Sequence, residues 1–344
     1  MKASRMRAAV VTTRGSAPGS VEVRRVPLLR PRPGWVTVRL RAAGLNRLDA
    51  MMLEVAGAGE QGAIFGSDGA GVVAEIGHDP RWAVSPLGVG DCVVICPSLY
   101  WGASRAAPSD EYEILGSPTS GTHAEYVCVP AENLHPKPSH LTFVEAAALP
   151  MAALTAWRAL VTRGRLTRGE KVVVGAASSG VGSMAIQIAA SLGARVVAVT
   201  SSPDKAAIAR RLGAQHVVDR TSTDMGASIA EHLDGPADLA LDPTGSLWQP
   251  FAEVLRSGGR LVVVGQIATP VGLLRVQTLY WRQLDVLGSS MGSSEDFAAM
   301  LDNVNRYQWA PSVDSTFPLA AIGEAYSRLH SPNRSGKVVI DLDL

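Results

Sequence analysis

The sequence predicts an α/β chain in which a β-rich first part is followed by a doubly wound parallel sheet, and three observations support this. Its 344 residues suffice for two cores of about 150 residues each. The chain is 47% hydrophobic but only 5% aromatic, so its core must consist of Ala, Val, Leu and Ile, which suits strands covered by helices. The hydrophobic pattern also changes from a period of two residues to alternating strands and helices.

The first part of the chain carries short alternating runs bounded by Gly and Pro. Val36, Val38 and Leu40 alternate with polar residues, which is typical of a strand with one face in water. Similar runs predict strands over residues 70–76, 91–96 and 124–130. A helical pattern then runs from Phe143 to Gly164. We place the boundary between the two domains in this stretch.

The second part alternates strands and helices in units of about 25 residues. Strands are predicted over residues 171–174, 195–200, 216–219, 237–241, 260–265 and 284–288. The first two helices between them are predicted to end at Leu192 and Leu212. Because parallel strands need crossover connections, this order predicts a doubly wound sheet. Two more helices and a last strand are expected over residues 294–306, 320–330 and 337–342.

Charge and hydropathy argue against several partners. Lys and Arg number 32 against 31 Asp and Glu, without a long basic block, so nucleic acid is not an expected partner. The longest apolar run, residues 146–157, is too short to span a membrane, and residues 1–15 contain no apolar stretch of secretory length. We therefore expect a cytoplasmic protein. The three cysteines lack paired spacing, which argues against disulfides.

A turn rich in small residues follows the predicted strand over residues 171–174. A strand, a small turn and a helix present backbone N–H groups and the positive end of a helix to a pyrophosphate. The residues expected to bind it are Ser178, Ser179, Gly180, Val181 and Gly182. Ala177 and Ser179 stand where a strict G-x-G-x-x-G pattern has its first two glycines, so a tight turn in another α/β protein is the alternative.

The end of the next predicted strand bears on the choice between NADH and NADPH. An NAD-binding domain places Asp or Glu there, against the ribose 2′-hydroxyl, but this chain has no carboxylate before Asp204. Ser201 can donate to a 2′-phosphate, and Lys205 and Arg220 can supply positive charge. The sequence therefore favours NADPH. The alternative for Lys205 and Arg220 is that they are solvated surface charges.

Several segments resemble one family, in that family's order. They are residues 41–49, 66–73, 121–126, 146–157, 212–214, 257–260 and 336–339, and the third reads Gly121-Thr-His-Ala-Glu-Tyr126. Together they are similar to the medium-chain dehydrogenase/reductase superfamily. The resemblance implies a GroES-like catalytic domain from residues 1–150 and 291–344, a Rossmann domain from residues 151–290, and a homodimer.

The resemblance also identifies the places of the catalytic zinc ligands in the family's alcohol dehydrogenases. Asn46, Ser67, Asp68 and Met151 stand there, and only Asp68 is a plausible metal ligand. The hydroxyl and imidazole that relay the alcohol proton in zinc members fall on Leu48 and Met51. The segment after Cys96 lacks the closely spaced cysteines of a structural zinc site. We expect no bound metal.

A zinc-free member with this turn resembles the quinone oxidoreductases and enoyl reductases. These enzymes transfer hydride to an electron-poor C=C bond or a quinone, whose conjugated carbonyl already provides an electron sink. Asn46 is the expected donor to the developing enolate oxygen, with a structural cap as its alternative role. The residues expected to line the substrate site are Met51, Ser67, Asp68, Trp101 and Met151. Alternatively, Trp101 packs the segment after Cys96 onto a neighbouring part of the protein.

The family pattern adds further cofactor contacts. Thr155 matches a threonine beside the nicotinamide, and Lys337 a basic position near the pyrophosphate. Residues that follow late strands of the sheet are expected at its ligand-binding edge, namely Val264, Gly265, Ser289, Ser290 and Met291. A metal-free alcohol dehydrogenase or ketone reductase, and a nucleotide-binding protein without turnover, remain as alternatives.

Overall fold

The computed structural model describes residues 5–13, 18–55, 61–77, 87–266 and 272–344. The chain separates into two compact units, Met1–Met151 with Ser293–Leu344, and Ala152–Gly292. The predicted fold class is confirmed, since one unit contains a GroES-like β-sheet and the other a parallel Rossmann sheet. None of the helices in the described ranges is long and apolar enough to cross a bilayer.

The first unit is built mainly of β-strands. In chain order they are β1 (Arg5–Val11), β2 (Val21–Pro27), β3 (Trp35–Gly44), β4 (Asp68–Ile76), β5 (Cys92–Ile95), β6 (Ser98–Leu99), β7 (Glu113–Ile114), β8 (Tyr126–Pro130) and β9 (Leu134–Pro136). Its helices before the division are α1 (Arg47–Val55) and α2 (Phe143–Ala148), and α3 (Pro150–Trp157) crosses the division. A π-helix over Arg158–Arg163 follows.

The second unit alternates strands with helices as predicted. Its elements are β10 (Lys171–Val174), α4 (Gly180–Ser191), β11 (Arg195–Thr200), α5 (Pro203–Arg211), β12 (His216–Asp219), α6 (Met225–Leu233), β13 (Ala237–Asp242), α7 (Trp248–Val254), β14 (Leu255–Val263), α8 (Val276–Trp281) and β15 (Asp285–Gly288). The chain then returns to the first unit with α9 (Ser294–Tyr307), β16 (Val313–Pro318), α10 (Ile322–His330) and β17 (Lys337–Asp341).

The two main sheets differ in direction. In the second unit all neighbours are parallel, in the order β12-β11-β10-β13-β14-β15. The order reverses direction at β10, which creates the crevice where open α/β sheets bind ligands. In the first unit the order is β16-β17-β3-β4-β5-β9, and β3 pairs antiparallel with both β17 and β4. The last strand of the chain thus lies beside an early one.

Two predicted elements differ from the structure by more than two residues. The helix predicted from Phe143 to Gly164 does begin at Phe143, where Thr142 forms a capping box with Glu145. It is divided, however, because Pro150 begins a second helix. The strand predicted over residues 260–265 begins earlier, at Leu255, and ends at Val263. Leu255 is buried, but the three residues after it are exposed, so this stretch lacks the apolar pattern on which the prediction depended.

Candidate active site

The sheet of the first unit brings three distant polar residues together. Asn46 follows β3, Asp68 begins β4, and Lys337 begins β17. In the ladders Gly44 pairs with both Asp68 and Val339, so β3 lies between the other two strands. We call Asn46, Ser67, Asp68 and Lys337 the Lys337 cluster.

The side chains of the Lys337 cluster bond to one another. The Lys337 ammonium donates to Asn46 Oδ1 and, at 2.8 Å, to Asp68 Oδ2. The Asn46 amide nitrogen donates to Asp68 Oδ2 at 2.9 Å and to Ser67 Oγ at 3.3 Å. The second oxygen of Asp68 accepts the backbone N–H of Met151 at 2.8 Å. Because an ammonium group has donors only, Lys337 fixes which end of the Asn46 amide faces it.

Burial makes this arrangement costly to disturb. Asp68 is fully buried, and Asn46, Ser67 and Lys337 are at most 7% exposed. An unpaired charge in such a place is strongly destabilising, whereas a paired and hydrogen-bonded one is tolerated. Both N–H groups of Asn46 are engaged within the cluster. The hydroxyl proton of Ser67 has no acceptor among the described residues.

The donor set does not fit zinc. Zinc sites use thiolate, imidazole and carboxylate ligands, and Asn46, Ser67 and Met151 offer an amide, a hydroxyl and a thioether. One carboxylate oxygen of Asp68 holds an ammonium group and the other a backbone N–H. Within the described ranges no group of three or more His, Cys, Asp or Glu side chains is placed to hold a metal ion.

Asp49 lies beside the Lys337 cluster and bonds to the backbone of Asn46. Its carboxylate accepts the backbone N–H of Asn46 at 2.7 Å, as expected of a residue that orders its own loop. Burial raises the pKa of Asp49 to about 7, although the Asn46 N–H and the charge of Lys337 both act in the opposite direction. Asp49 therefore has a pKa at which a carboxyl group can change charge near neutral pH.

His123 and Tyr326 are a buried pair. The Tyr326 hydroxyl and His123 Nδ1 are 3.2 Å apart, while Nε2 of His123 has no partner among the described residues. Burial, and then the charge of Lys337, lower the pKa of His123 to about 3. A side chain on Gly66 would lie 2.5 Å from this ring, so the glycine allows the ring to pack there. His123 is thus a neutral, packed ring at physiological pH.

The turn after β10 has the geometry of a phosphate-binding turn. Ser179 caps α4, and its hydroxyl accepts the N–H of Gly182 at 3.0 Å. A Cβ on Gly182 would lie 2.3 Å from the carbonyl oxygen of Ala176, so glycine is required for the turn itself. The first turn of α4 carries no acidic side chain. Ser178, Gly180 and Val181 are half-buried, which leaves this helix N-terminus partly open to an anion.

The residues proposed for the 2′-phosphate lie at one edge of the sheet. Thr200 and Asp219 end neighbouring strands and pair in the ladder, so Ser201 and Arg220 follow side by side. The Lys205 ammonium is 3.5 Å from Ser201 Oγ. Arg220 is exposed.

The remaining cofactor candidates occupy the ends of later strands and one helix. Val264 follows β14 and Ser289 follows β15, and the N–H of Ser289 donates to the Val263 carbonyl at 3.0 Å. Ser289 Oγ is buried without a partner in the described part of the chain. Thr155 lies in α3 and is 6% exposed. The other candidates at these strand ends are the half-buried Gly265, the exposed Ser290 and the buried Met291.

The sequence patterns missed Asp242, which ends β13 beside the strand that leads into the phosphate turn. It is fully buried and its carboxylate accepts the N–H groups of Thr244, Gly245 and Leu247 at 2.8 to 3.1 Å. These bonds are those of a turn-forming residue. The sequence feature that could have indicated Asp242 is a single carboxylate at the end of an apolar strand.

Trp101 lines a cavity whose described lining residues include none of the other proposed substrate residues. Met51 lies half-buried in α1, and Ser67, Asp68 and Met151 belong to or contact the Lys337 cluster. Trp101 instead lines a cavity of about 390 Å³. We call it the Trp101 cavity, and its wall includes Ser98, Tyr100, Trp101, Glu111, Glu132 and Asn133.

Two family models match the chain. The model described as "Alcohol dehydrogenase GroES-like domain" matches residues 32–139, and the one described as "Zinc-binding dehydrogenase" matches residues 180–306. Together they cover more than half of the chain. Their order agrees with the order of the β-rich unit and the parallel sheet.

Individual relatives match over most of the chain. A zinc-type alcohol dehydrogenase-like protein of Schizosaccharomyces pombe is 30% identical over 329 residues, covering 90% of this chain and 92% of that protein. The chloroplastic NADPH-dependent alkenal/one oxidoreductase of Arabidopsis thaliana is 30% identical over 311 residues, covering 89% of this chain and 71% of that protein. The crystal structure of an NAD-dependent alcohol dehydrogenase aligns with a TM-score of 0.91 at 36% identity, covering 98% of this chain and 100% of that one. The chain belongs to the medium-chain dehydrogenase/reductase superfamily and is an oxidoreductase of that family.

Proposed function

We propose that this oxidoreductase is zinc-independent and reduces activated C=C bonds or quinones with hydride from NADPH. The observation that carries the proposal is the buried pairing of Lys337 with Asp68 and Asn46. Alcohol oxidation in the zinc members relies on a Lewis acid that stabilises an alkoxide. Here the carboxylate at the metal's place neutralises an ammonium group, which favours acceptors that need no metal.

The reduction of such acceptors requires few catalytic groups from the protein. NADPH, when bound, supplies the hydride. The protein must hold the acceptor, donate a hydrogen bond to the oxygen on which charge develops, and exclude water. We assign the hydrogen bond to Asn46, because its contact with Ser67 Oγ, at 3.3 Å, is the longest in the cluster and the easiest to exchange for a substrate oxygen. Met51, Ser67, Asp68 and Met151 are the proposed neighbours of the substrate.

NADPH is the proposed cofactor because the end of β11 carries a hydroxyl and an ammonium group where an NAD-binding domain has a carboxylate. Ser201, Lys205 and Arg220 would hold the 2′-phosphate, and the turn from Ser178 to Gly182 the pyrophosphate. Relatives differ here, since one is described as NADPH-dependent and one as NAD-dependent.

Further cofactor contacts are proposed at the strand ends and in α3, from Thr155, Val264, Gly265, Ser289, Ser290 and Met291. Lys337 uses two of its three N–H groups within the cluster. A contact with a cofactor phosphate would use the third.

The same family admits a metal-free alcohol dehydrogenase or ketone reductase, and the solved alcohol dehydrogenase at 36% identity favours it as the second candidate. A nucleotide-binding protein without turnover is the third. We also propose that the protein is a cytoplasmic homodimer. Sedimentation velocity would measure the mass of the assembly.

The deciding experiment is oxidation of NADPH and NADH, in parallel, with 1,4-quinones, enals, enones and simple ketones, and metal analysis of the same sample. We expect turnover of the conjugated acceptors with NADPH and well under one zinc per chain. Stoichiometric zinc, or turnover of ketones and alcohols alone, would contradict the proposal. NADPH binding without any turnover would favour the third candidate.

A further inference from the structure

The Trp101 cavity is a built pocket in the first unit. The Trp101 ring is 3% exposed, packs edge-on against Tyr112 at 5.1 Å, and donates its N–H to the Ser104 carbonyl at 2.9 Å. Tyr100 has a left-handed backbone (φ 55°) that is rare for a residue other than glycine. The Ser109 hydroxyl holds this conformation by donating to the Tyr100 carbonyl at 2.7 Å. The cavity therefore has a fixed wall.

Two buried polar atoms in this wall have no hydrogen-bond partner among the described residues. They are Ser98 Oγ and Asn133 Oδ1, in side chains that are 1% and 3% exposed. The amide nitrogen of Asn133 donates to the carbonyls of Cys96 and Ser98, at 3.0 and 2.7 Å, which fixes the amide with its oxygen as the free end. Buried polar atoms are normally satisfied. Asn133 Oδ1 can only accept and therefore needs a donor, whereas the Ser98 hydroxyl can accept from or donate to the same ligand.

The charges at the cavity have one sign. Glu111 and Glu132 line it, both are exposed, and neither makes an ion pair within the described ranges. Among the described residues that line it there is no Lys or Arg. A ligand that donates hydrogen bonds here, beside two carboxylates, binds more strongly when it carries positive charge.

We propose that the Trp101 cavity binds an organic cation with N–H donors, as a primary ammonium or guanidinium group on a short apolar chain. The N–H groups would satisfy Asn133 Oδ1 and Ser98 Oγ, Glu111 and Glu132 would balance the charge, and the aromatic wall would pack against the apolar chain. A volume of about 390 Å³ accommodates such a group. It can come from a free amine or from a Lys or Arg side chain of another protein.

The test is calorimetric titration of the full chain with butylamine, butylguanidine, the neutral isostere butanol, the peptide acetyl-Gly-Lys-Gly-amide, and Ca²⁺. We expect saturable binding of at least one cation and none of butanol. The double variant Glu111→Gln/Glu132→Gln should weaken binding about tenfold or more. Ser98→Ala should weaken it about threefold. The exposed Glu231→Gln, in α6, is the matched control and should bind as the wild type does.

The two sources give different results. Tighter binding of the peptide than of butylamine would assign the cation to a protein partner, and the reverse would assign it to a free amine. Equal binding of butanol, or unchanged affinity in the double variant, would overturn the proposal. So would binding of Ca²⁺ with no binding of any amine or guanidine, which would make this an inorganic cation site.

Discussion

The Lys337 cluster and the Trp101 cavity both lie in the first unit and both bury polar side chains, but they differ in how these are satisfied. Lys337, Asn46 and Asp68 bond to one another, and the second oxygen of Asp68 accepts the N–H of Met151. In the cavity, Ser98 Oγ and Asn133 Oδ1 have no partner in the described part of the chain. Satisfied polar networks stabilise one conformation, whereas unsatisfied buried atoms leave capacity for a ligand. Substitutions should therefore cost stability in the cluster and affinity in the cavity.

Removing the ammonium group of the cluster should have the largest effect. Lys337→Met leaves the fully buried Asp68 carboxylate without its counter-charge, and loss of one partner of a buried pair costs about 3–5 kcal/mol. Urea unfolding would measure this. The exposed pair of Arg24 with Glu22 provides the control, since Arg24→Met should cost less than about 1 kcal/mol.

A second substitution sharpens this prediction. Asp68→Asn removes the buried negative charge, so the double variant Asp68→Asn/Lys337→Met should be more stable than Lys337→Met alone. If Lys337→Met unfolds at the same urea concentration as the wild type, the buried pair does not exist in solution.

The buried Asp49 should make stability depend on pH. Its pKa is about 7 in the folded protein, against 3.8 for an aspartate carboxyl in water, as in the unfolded chain. Its contribution to stability is therefore full below pH 4 and is lost as the pH rises through 7. Asp49→Asn stays neutral at every pH. Relative to the wild type, the variant should gain up to about 4 kcal/mol between pH 4 and pH 8, from about three pKa units. Urea unfolding of both proteins at pH 4 and at pH 8 would measure this. If the stability difference between Asp49→Asn and the wild type is the same at both pH values, the prediction is wrong.

These two sites show how far sequence patterns reach. The places of Asn46, Ser67 and Asp68 follow from a resemblance over short segments. The bonds from Lys337 to these residues could not be predicted from the sequence. They depend on the pairing of β17 with β3, and Lys337 is 291 positions from Asn46 in the chain. The parallel sheet was predictable, since its strands are continuous apolar runs.

The Trp101 cavity was harder to foresee for the same reason. Its wall combines the segment after β5 with Glu132 and Asn133, which a sequence does not place together. Which polar atoms lack partners depends on individual side-chain contacts, and the patterns that predict strands and helices carry no such information.

The assignment of the hydrogen-bond donor can be tested by activity. Ser67→Ala frees the second N–H of Asn46, so we expect kcat with a conjugated acceptor to stay within about threefold of the wild type, while Asn46→Ala should lower it about 10²-fold. Steady-state kinetics, with circular dichroism to check folding, would measure both. A loss of about 10²-fold in Ser67→Ala would make the Ser67 hydroxyl the donor.

The smallest effect on stability is expected in the cavity, at Ser98. Its hydroxyl is buried without a partner in the described ranges, so Ser98→Ala removes no hydrogen bond and relieves an unsatisfied group. Urea unfolding without added ligand should change by less than about 0.5 kcal/mol. Ser183→Ala is the matched control, because Ser183 is equally buried but donates to the Gly180 carbonyl at 2.9 Å, and its loss should cost about 1 kcal/mol. If Ser98→Ala costs as much as Ser183→Ala, Ser98 is satisfied within the protein and the contrast between cavity and cluster fails.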